Sequence, residues 1–138
     1  MLVEHRFIES NGIKIHLAEA GTGPLVLLCH GFPESWYSWR HQIKALSEAG
    51  YHAIAPDMRG YGQTDRPNDT DQYSLFHLVA DMVGLVNAFG ERPAVVIGHD
   101  WGAPVAWHCA LFPFAAARAY TYLAMGVEPT KLMACTAG

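Results

Sequence analysis

The chain has 138 residues, 51% hydrophobic and 16% charged, with a formal net charge of −4. That balance describes one soluble globular domain with no basic patch for nucleic acid. No apolar run approaches the ~20 residues of a membrane span, and Met1–Arg6 lacks the apolar core of a secretory signal.

From the N-terminus, 4–9 and 13–19 alternate apolar and polar residues on either side of Asn11-Gly12, the signal of a β-hairpin closed by a type I′ turn. A loop at 21–24 leads into Leu25-Val-Leu-Leu-Cys29, a continuous apolar run expected to be a buried strand, and His30-Gly-Phe-Pro33 reads as a turn. Ser35 is placed to cap a helix to about Ser47, with Trp36, Trp39, Ile43 and Leu46 on one face. A strand over 51–56 follows, then a long Gly-rich loop over 57–67. Ser74 can cap a second helix whose apolar stripe includes Leu75, Leu78, Val79, Met82, Val86 and Phe89, with Gly90 as its stop. Ala94-Val-Val-Ile-Gly98 reads as a strand buried on both faces of a parallel sheet. A short helix over 103–112 comes next, ended by Pro113. The stretch 119–124 is expected to be a last strand. Alternating strands and helices after an initial hairpin predict the α/β class with a mostly parallel sheet.

Chemistry concentrates at the carboxyl ends of the expected strands, where ligands bind in open α/β sheets. Gly98-His99-Asp100-Trp101-Gly102 has the strand–turn–helix form of a nucleophile elbow, with a small residue two places either side of the tip. The tip is Asp100, where Ser is common. A Ser that attacked an alkyl carbon would leave an inert ether, whereas a carboxylate leaves an ester that water can reopen. Asp100 therefore suits an electrophilic sp³ carbon, as in epoxides and alkyl halides. The competing structural reading makes Asp100 a cap of the following helix.

Cys29, Cys109 and Cys135 form no CxxC pair and no metal spacing. Two lie in elements expected to be buried, so they read as reduced thiols of a cytoplasmic protein. The eight histidines are scattered without an HExxH pair. No metal site and no cofactor is expected.

Three stretches, His30-Gly-Phe-Pro-Glu-Ser-Trp-Tyr-Ser-Trp-Arg-His-Gln42, Asp57-Met-Arg-Gly-Tyr-Gly62 and Gly98-His-Asp-Trp-Gly102, resemble the signature stretches of soluble epoxide hydrolases of the α/β-hydrolase family. They occur in the family's order, and the resemblance covers roughly 4–112. It implies hydrolysis of a small apolar epoxide to a vicinal diol, with Asp100 as the alkylated nucleophile. It also implies an oxyanion hole from the backbone N–H groups of Phe32 and Trp101, and a cis peptide at Phe32-Pro33. His30 and His99 flank the site as hydrogen-bonded histidines and, with Pro33, are expected to border the substrate pocket. Asp57 and Arg59 resemble the family's loop-bracing pair. Trp36, Trp39 and Trp107 read as core residues, and Trp101 as a core or substrate contact.

The resemblance has a gap. In this fold an acid and then a His follow the nucleophile. After Asp100 only His108 and then Glu128 occur, in the reverse order, and His108 lies about 12 Å along the elbow helix. The chain 1–138 therefore reads as the N-terminal part of an α/β-hydrolase core, without the cap domain and the C-terminal part of the core. Turnover by the chain alone is not expected. The alternatives are a haloalkane dehalogenase using the same Asp, although Phe32 stands where those enzymes usually carry a polar residue, and an inactive truncated product acting only as a binding partner. With the sheet ending one strand beyond the elbow strand, 119–124 is expected to form an exposed edge and to favour self-association through exposed core surface.

Overall fold

The computed structural model describes residues 2–90, 94–111, 121–124 and 133–135. The Pro113 stop, residues 119–120 and Glu128 lie outside these. The hairpin forms as expected: β1 (Glu4–Ser10) and β2 (Ile13–Ala20) pair antiparallel from Glu4↔Glu19 to Ser10↔Ile13. Asn11 and Gly12 take φ of 51° and 78°, the two positive values a type I′ turn requires.

β3 (Leu25–Cys29), β4 (His52–Pro56), β5 (Val95–His99) and β6 (Thr121–Ala124) run parallel to one another. β7 (Met133–Cys135) closes the far side antiparallel to β6. The sheet order is β1-β2-β4-β3-β5-β6-β7. This corrects the expected edge: 121–124 lies between β5 and β7, and Met133–Cys135 is the outer strand. Three residues carry too little periodicity to be read as a strand from sequence.

The pleat sends alternate side chains to opposite faces. Leu25, Leu27 and Cys29 of β3 pack with Ile15, Leu17 and Ile54 beneath α2 (Leu75–Ala88) and α3 (Gly102–Leu111). Val26 and Leu28 pack with Ala18, Ala53, Ala55, Trp39 and Ile43 beneath α1 (Arg40–Glu48). The first helix differs from expectation in its first turn. Ser35 caps a 3-10 turn over Trp36–Trp39, and α1 begins only at Arg40. The i, i+3 spacing of the two tryptophans suits a 3-10 turn as well as an α-helix. Ser74 caps α2 as expected, accepting from the His77 N–H, and Gly90 stops it at φ 67°. β5 departs from burial on both faces: Val96 and Gly98, on the α3 side, are buried, but Val95 and Ile97, on the α1 side, are only partly so. Among the described residues no helix is long and apolar enough to cross a membrane.

Candidate active site

Three parallel strands deliver the site from their carboxyl ends: β3 into His30, β4 into Asp57 and β5 into Asp100. The elbow between β5 and α3 is tight. Asp100 sits at φ 52°, in the left-handed region that costs a non-glycine residue backbone strain. Its carbonyl accepts from the Ala103 N–H at 3.1 Å, closing the turn. The two flanking glycines are required by space. A Cβ on Gly98 would fall on the Gly102 carbonyl, and one on Gly102 would sit 2.5 Å from the His30 carbonyl oxygen. The same crowding holds at Gly31, where an added Cβ would lie 2.6 Å from Asp100 Oδ2. The His30–Pro33 loop is thus pressed directly against the elbow.

That approach lets the Phe32 N–H donate to Asp100 Oδ2 at 2.9 Å. The backbone amides of Phe32 and then Trp101 hold the Asp100 carboxyl below the usual aspartate range. Partial burial opposes this and the nearby His99 adds to it. The position just before the first turn of α3 also favours an anion. Asp100 is therefore an ionised carboxylate whose Oδ2 accepts from the Phe32 amide, a donor placed as an oxyanion hole needs once that oxygen belongs to an ester. The Phe32–Pro33 peptide is cis, as the resemblance implied.

His30 is a strut. Its Nδ1–H donates to the Gly31 carbonyl at 2.8 Å and its Nε2 accepts from the Met58 N–H at 2.8 Å. Burial lowers its pKa, which suits the neutral imidazole these two bonds demand. His99 Nε2 stands 2.8 Å from Glu34 Oε2, a close contact without hydrogen-bond alignment. It ties the elbow strand to the Phe32 loop.

A cavity of about 300 Å³ opens beside these groups, lined by His30, Gly31, Phe32, Met58, Arg59, Tyr61, Tyr73, Leu75, Leu78, Trp101 and Val105. Its lining is mostly apolar, and Phe32 and Trp101 stand 63% and 71% exposed at its mouth. Of the residues expected to border the pocket, His30 does. Pro33 is not among the lining residues, and His99 lines a separate cavity on the α1 side with Trp39 and Ile97. That follows from the pleat, which turns His99 toward the same face as Ile97. Trp39 is buried in the core, whereas Trp36 and Trp107 are half-buried. Tyr61 and Tyr73 were missed as lining residues. Tyr61 lies inside the Gly60-Tyr61-Gly62 motif, which could have flagged it.

Asp57 and Arg59 brace loops without bracing each other. Asp57 accepts from Trp36 N–H, Gln63 N–H and His16, while Arg59 forks onto both oxygens of Asp81 on α2. His108 Nδ1–H donates to the Pro104 carbonyl one turn back along α3, at 2.6 Å. Among the described residues no cluster of three or more His, Cys, Asp or Glu could hold a metal ion.

Residues 24–115 match the model of the alpha/beta hydrolase fold family. Among curated proteins the chain is 56% identical over 110 residues to epoxide hydrolase 3 of Siraitia grosvenorii, covering 80% of this chain and 35% of that protein. It is 51% identical over 108 residues to epoxide hydrolase A of Mycobacterium tuberculosis, covering 77% and 34%. Among solved structures, an epoxide hydrolase of Vigna radiata superposes with a TM-score of 0.82 at 51% identity, over 86% of this chain and 38% of that one. The chain thus spans about a third of the length of the curated relatives it matches.

Proposed function

The chain belongs to the alpha/beta hydrolase family, and from that premise we propose that it carries the nucleophile-bearing part of an epoxide hydrolase. The observation that carries this reading is Asp100 at the tip of the elbow, strained, ionised and bonded through Oδ2 to the Phe32 N–H beside an apolar cavity. In the proposed reaction a carboxylate oxygen of Asp100 attacks an epoxide carbon. The C–O bond of the ring breaks and its oxygen takes a proton from solvent water, leaving a hydroxyalkyl ester and hydroxide. Water then attacks the ester carbonyl carbon. The resulting oxyanion, stabilised by the Phe32 N–H on Oδ2 with the Trp101 N–H beside it, collapses to release a vicinal diol and restore Asp100.

The substrate side of the proposal rests on the apolar cavity and on the names of the matched relatives. Haloalkanes are the competing class, because the same nucleophile serves both. Phe32 and Trp101 at the mouth offer apolar surface, and the Phe32 N–H is committed to Asp100. We expect Asp100 to be esterified at least about tenfold faster by an aryl epoxide than by an aryl-alkyl chloride of matched size, the discrimination of about one well-placed contact. Rates of mass gain at Asp100 measure this. A faster halide would overturn the epoxide assignment in favour of a dehalogenase.

Two smaller parts of the reading stand beside it. Cys29 and Cys109 are buried free thiols, which supports a reducing, cytoplasmic location. The sheet face beside α1 carries an apolar cavity of about 500 Å³ lined by Leu28, Leu46 and Ile97 among others, which supports self-association. Size-exclusion elution that moves to larger species with concentration is the expected behaviour, and a single monomer peak throughout the micromolar range would remove this part.

A further inference from the structure

We infer that His16 is a positioning residue for the candidate oxyanion hole, acting through Asp57; this rests on the reading of Asp100 as the nucleophile and the Phe32 N–H as its partner. His16 lies on β2, 41 residues from Asp57 in sequence and on no motif that bears chemistry. Both side chains are inside the protein, 1% and 2% exposed. His16 Nδ1 meets Asp57 Oδ2 at 2.7 Å, and since a carboxylate only accepts, Nδ1 carries the proton. The other edge of the ring fits that assignment. Nε2 faces His5 Nδ1 at 3.1 Å and the amide nitrogen of Gln63, which can only donate, at 3.5 Å.

Asp57 is where two loops meet. Its Oδ1 accepts from the Trp36 N–H at 2.9 Å and its Oδ2 from the Gln63 N–H at 3.0 Å. Trp36 begins the 3-10 turn that follows the Phe32–Pro33 peptide, and the short link between them is itself closed by Glu34 N–H to the Gly31 carbonyl at 3.1 Å. Gln63 belongs to the loop that carries Met58 and Tyr61 into the cavity. The same loop is fastened to the β2 backbone at His16: the Asp57 N–H donates to the His16 carbonyl, and the His16 N–H donates to the Thr64 hydroxyl Oγ1. Those bonds fix the loop's course but leave the rotation of the Asp57 side chain open. The imidazole, with the Trp36 and Gln63 amides, fixes it. A buried carboxylate needs its donors, and without His16 only two backbone amides remain, one on each loop. A turn of the carboxylate would release one of them. The Phe32 N–H stands four residues from Trp36 on a short, internally bonded segment, so its 2.9 Å contact with Asp100 depends on that anchor.

The test compares wild type, His16→Leu and His16→Asn. The Asn side-chain nitrogen stands close to the position of Nδ1 and restores the donor, while Leu fills the space without one. Two quantities are read: amide hydrogen exchange by mass spectrometry in peptides spanning Trp36 and Gln63, and the rate of Asp100 esterification by an aryl epoxide. For Leu, exchange in both peptides rises and esterification falls by about tenfold or more, the factor one charge-assisted hydrogen bond implies. Peptides of β3 and α2 keep wild-type exchange. For Asn, both quantities return to within about threefold of wild type. Leu at the wild-type esterification rate, or Asn no better than Leu, overturns the inference. If Leu loses protection throughout the chain, the Asn variant decides: it must restore the Trp36 and Gln63 peptides together with the rate. A wild type that gains no mass at Asp100 counts against the nucleophile reading, and the exchange pattern then still decides whether His16 holds Asp57 and its two loops.

Discussion

With an aryl epoxide in excess, one molecule of label per chain is expected on Asp100 and no diol beyond it. Formation of the ester needs an ionised carboxylate, and Asp100 is held in that form by the Phe32 and Trp101 amides. Breakdown of the ester needs a base to activate water within hydrogen-bond reach of the carbonyl carbon. Among the described histidines beside the elbow, each ring is committed elsewhere. His30 has both nitrogens bonded, His99 pairs with Glu34, and His108 donates to the carbonyl of Pro104. The expected time course is therefore a stoichiometric burst that stops, with Asp100→Ala lowering the burst rate by more than about 10³-fold, as loss of a nucleophile does elsewhere. The burst should persist as pH falls through the ordinary aspartate range and fail only at lower pH. The sign follows from the shift. Folded Asp100 binds its proton less readily than an ordinary aspartate, so the anion and the contacts it makes are present above the ordinary value and are lost as pH falls through the lowered one. Continued diol formation, abolished by Asp100→Ala, would mean that a base within this chain reaches the ester. An unlabelled Asp100 would remove the nucleophile itself.

Much of this site was legible because its signals are local. Asn11-Gly12 specifies its own turn through two positive φ angles. Gly98 and Gly102 announce a backbone crossing too close for a Cβ, so the elbow can be read without knowing what it crosses. The apolar runs of β3 and β5 place His30 and Asp100 at strand ends for the same reason. What escaped depends on contacts between distant segments. Asp57 and Arg59 sit two residues apart and read as one bracing pair, yet one turns to β2 and the other to α2, because residues on opposite sides of a turn face different neighbours. His16 sits in a strand buried along nearly its whole length, from Ile13 to Ala20, and nothing in the spacing of β2 marks it as the partner of a residue 41 positions on. β7 is too short to show a period, so its pairing with β6 could not be read either.

Replacing Asp81 by alanine should cost the chain about 3–5 kcal/mol, the penalty of leaving a buried charge without its partner. Arg59 and Asp81 have side-chain exposures of 2% and 0%. The guanidinium forks onto both carboxylate oxygens at 2.9 and 2.8 Å and spends a further nitrogen on the Gln72 carbonyl at 3.1 Å. The bond to Asp81 raises the Arg59 pKa, with burial opposing it. A buried lysine could escape by losing its proton, but an arginine cannot, so the unpaired charge must be borne by the fold. Asp81 also accepts from Asn11 Nδ2 at 3.0 Å, which links α2 to the hairpin turn; that donor is exposed and keeps the His77 carbonyl, so its loss adds little. Set against the roughly 5–15 kcal/mol that holds a domain together, the loss is large enough to shift a urea midpoint by one molar or more. The converse substitution is the sharper test. Replacing the pair together, as Arg59→Met with Asp81→Leu, removes both charges and should recover most of the loss. If Asp81→Ala moves the unfolding free energy by less than about 1 kcal/mol, as expected only of a solvated pair, then Arg59 reaches water by a route the buried geometry does not provide. If instead the double replacement is as unstable as the single, the pair contributes attraction beyond the cost of its own burial. Arg59 and the loop it carries would then be held in the cavity wall by the ion pair itself.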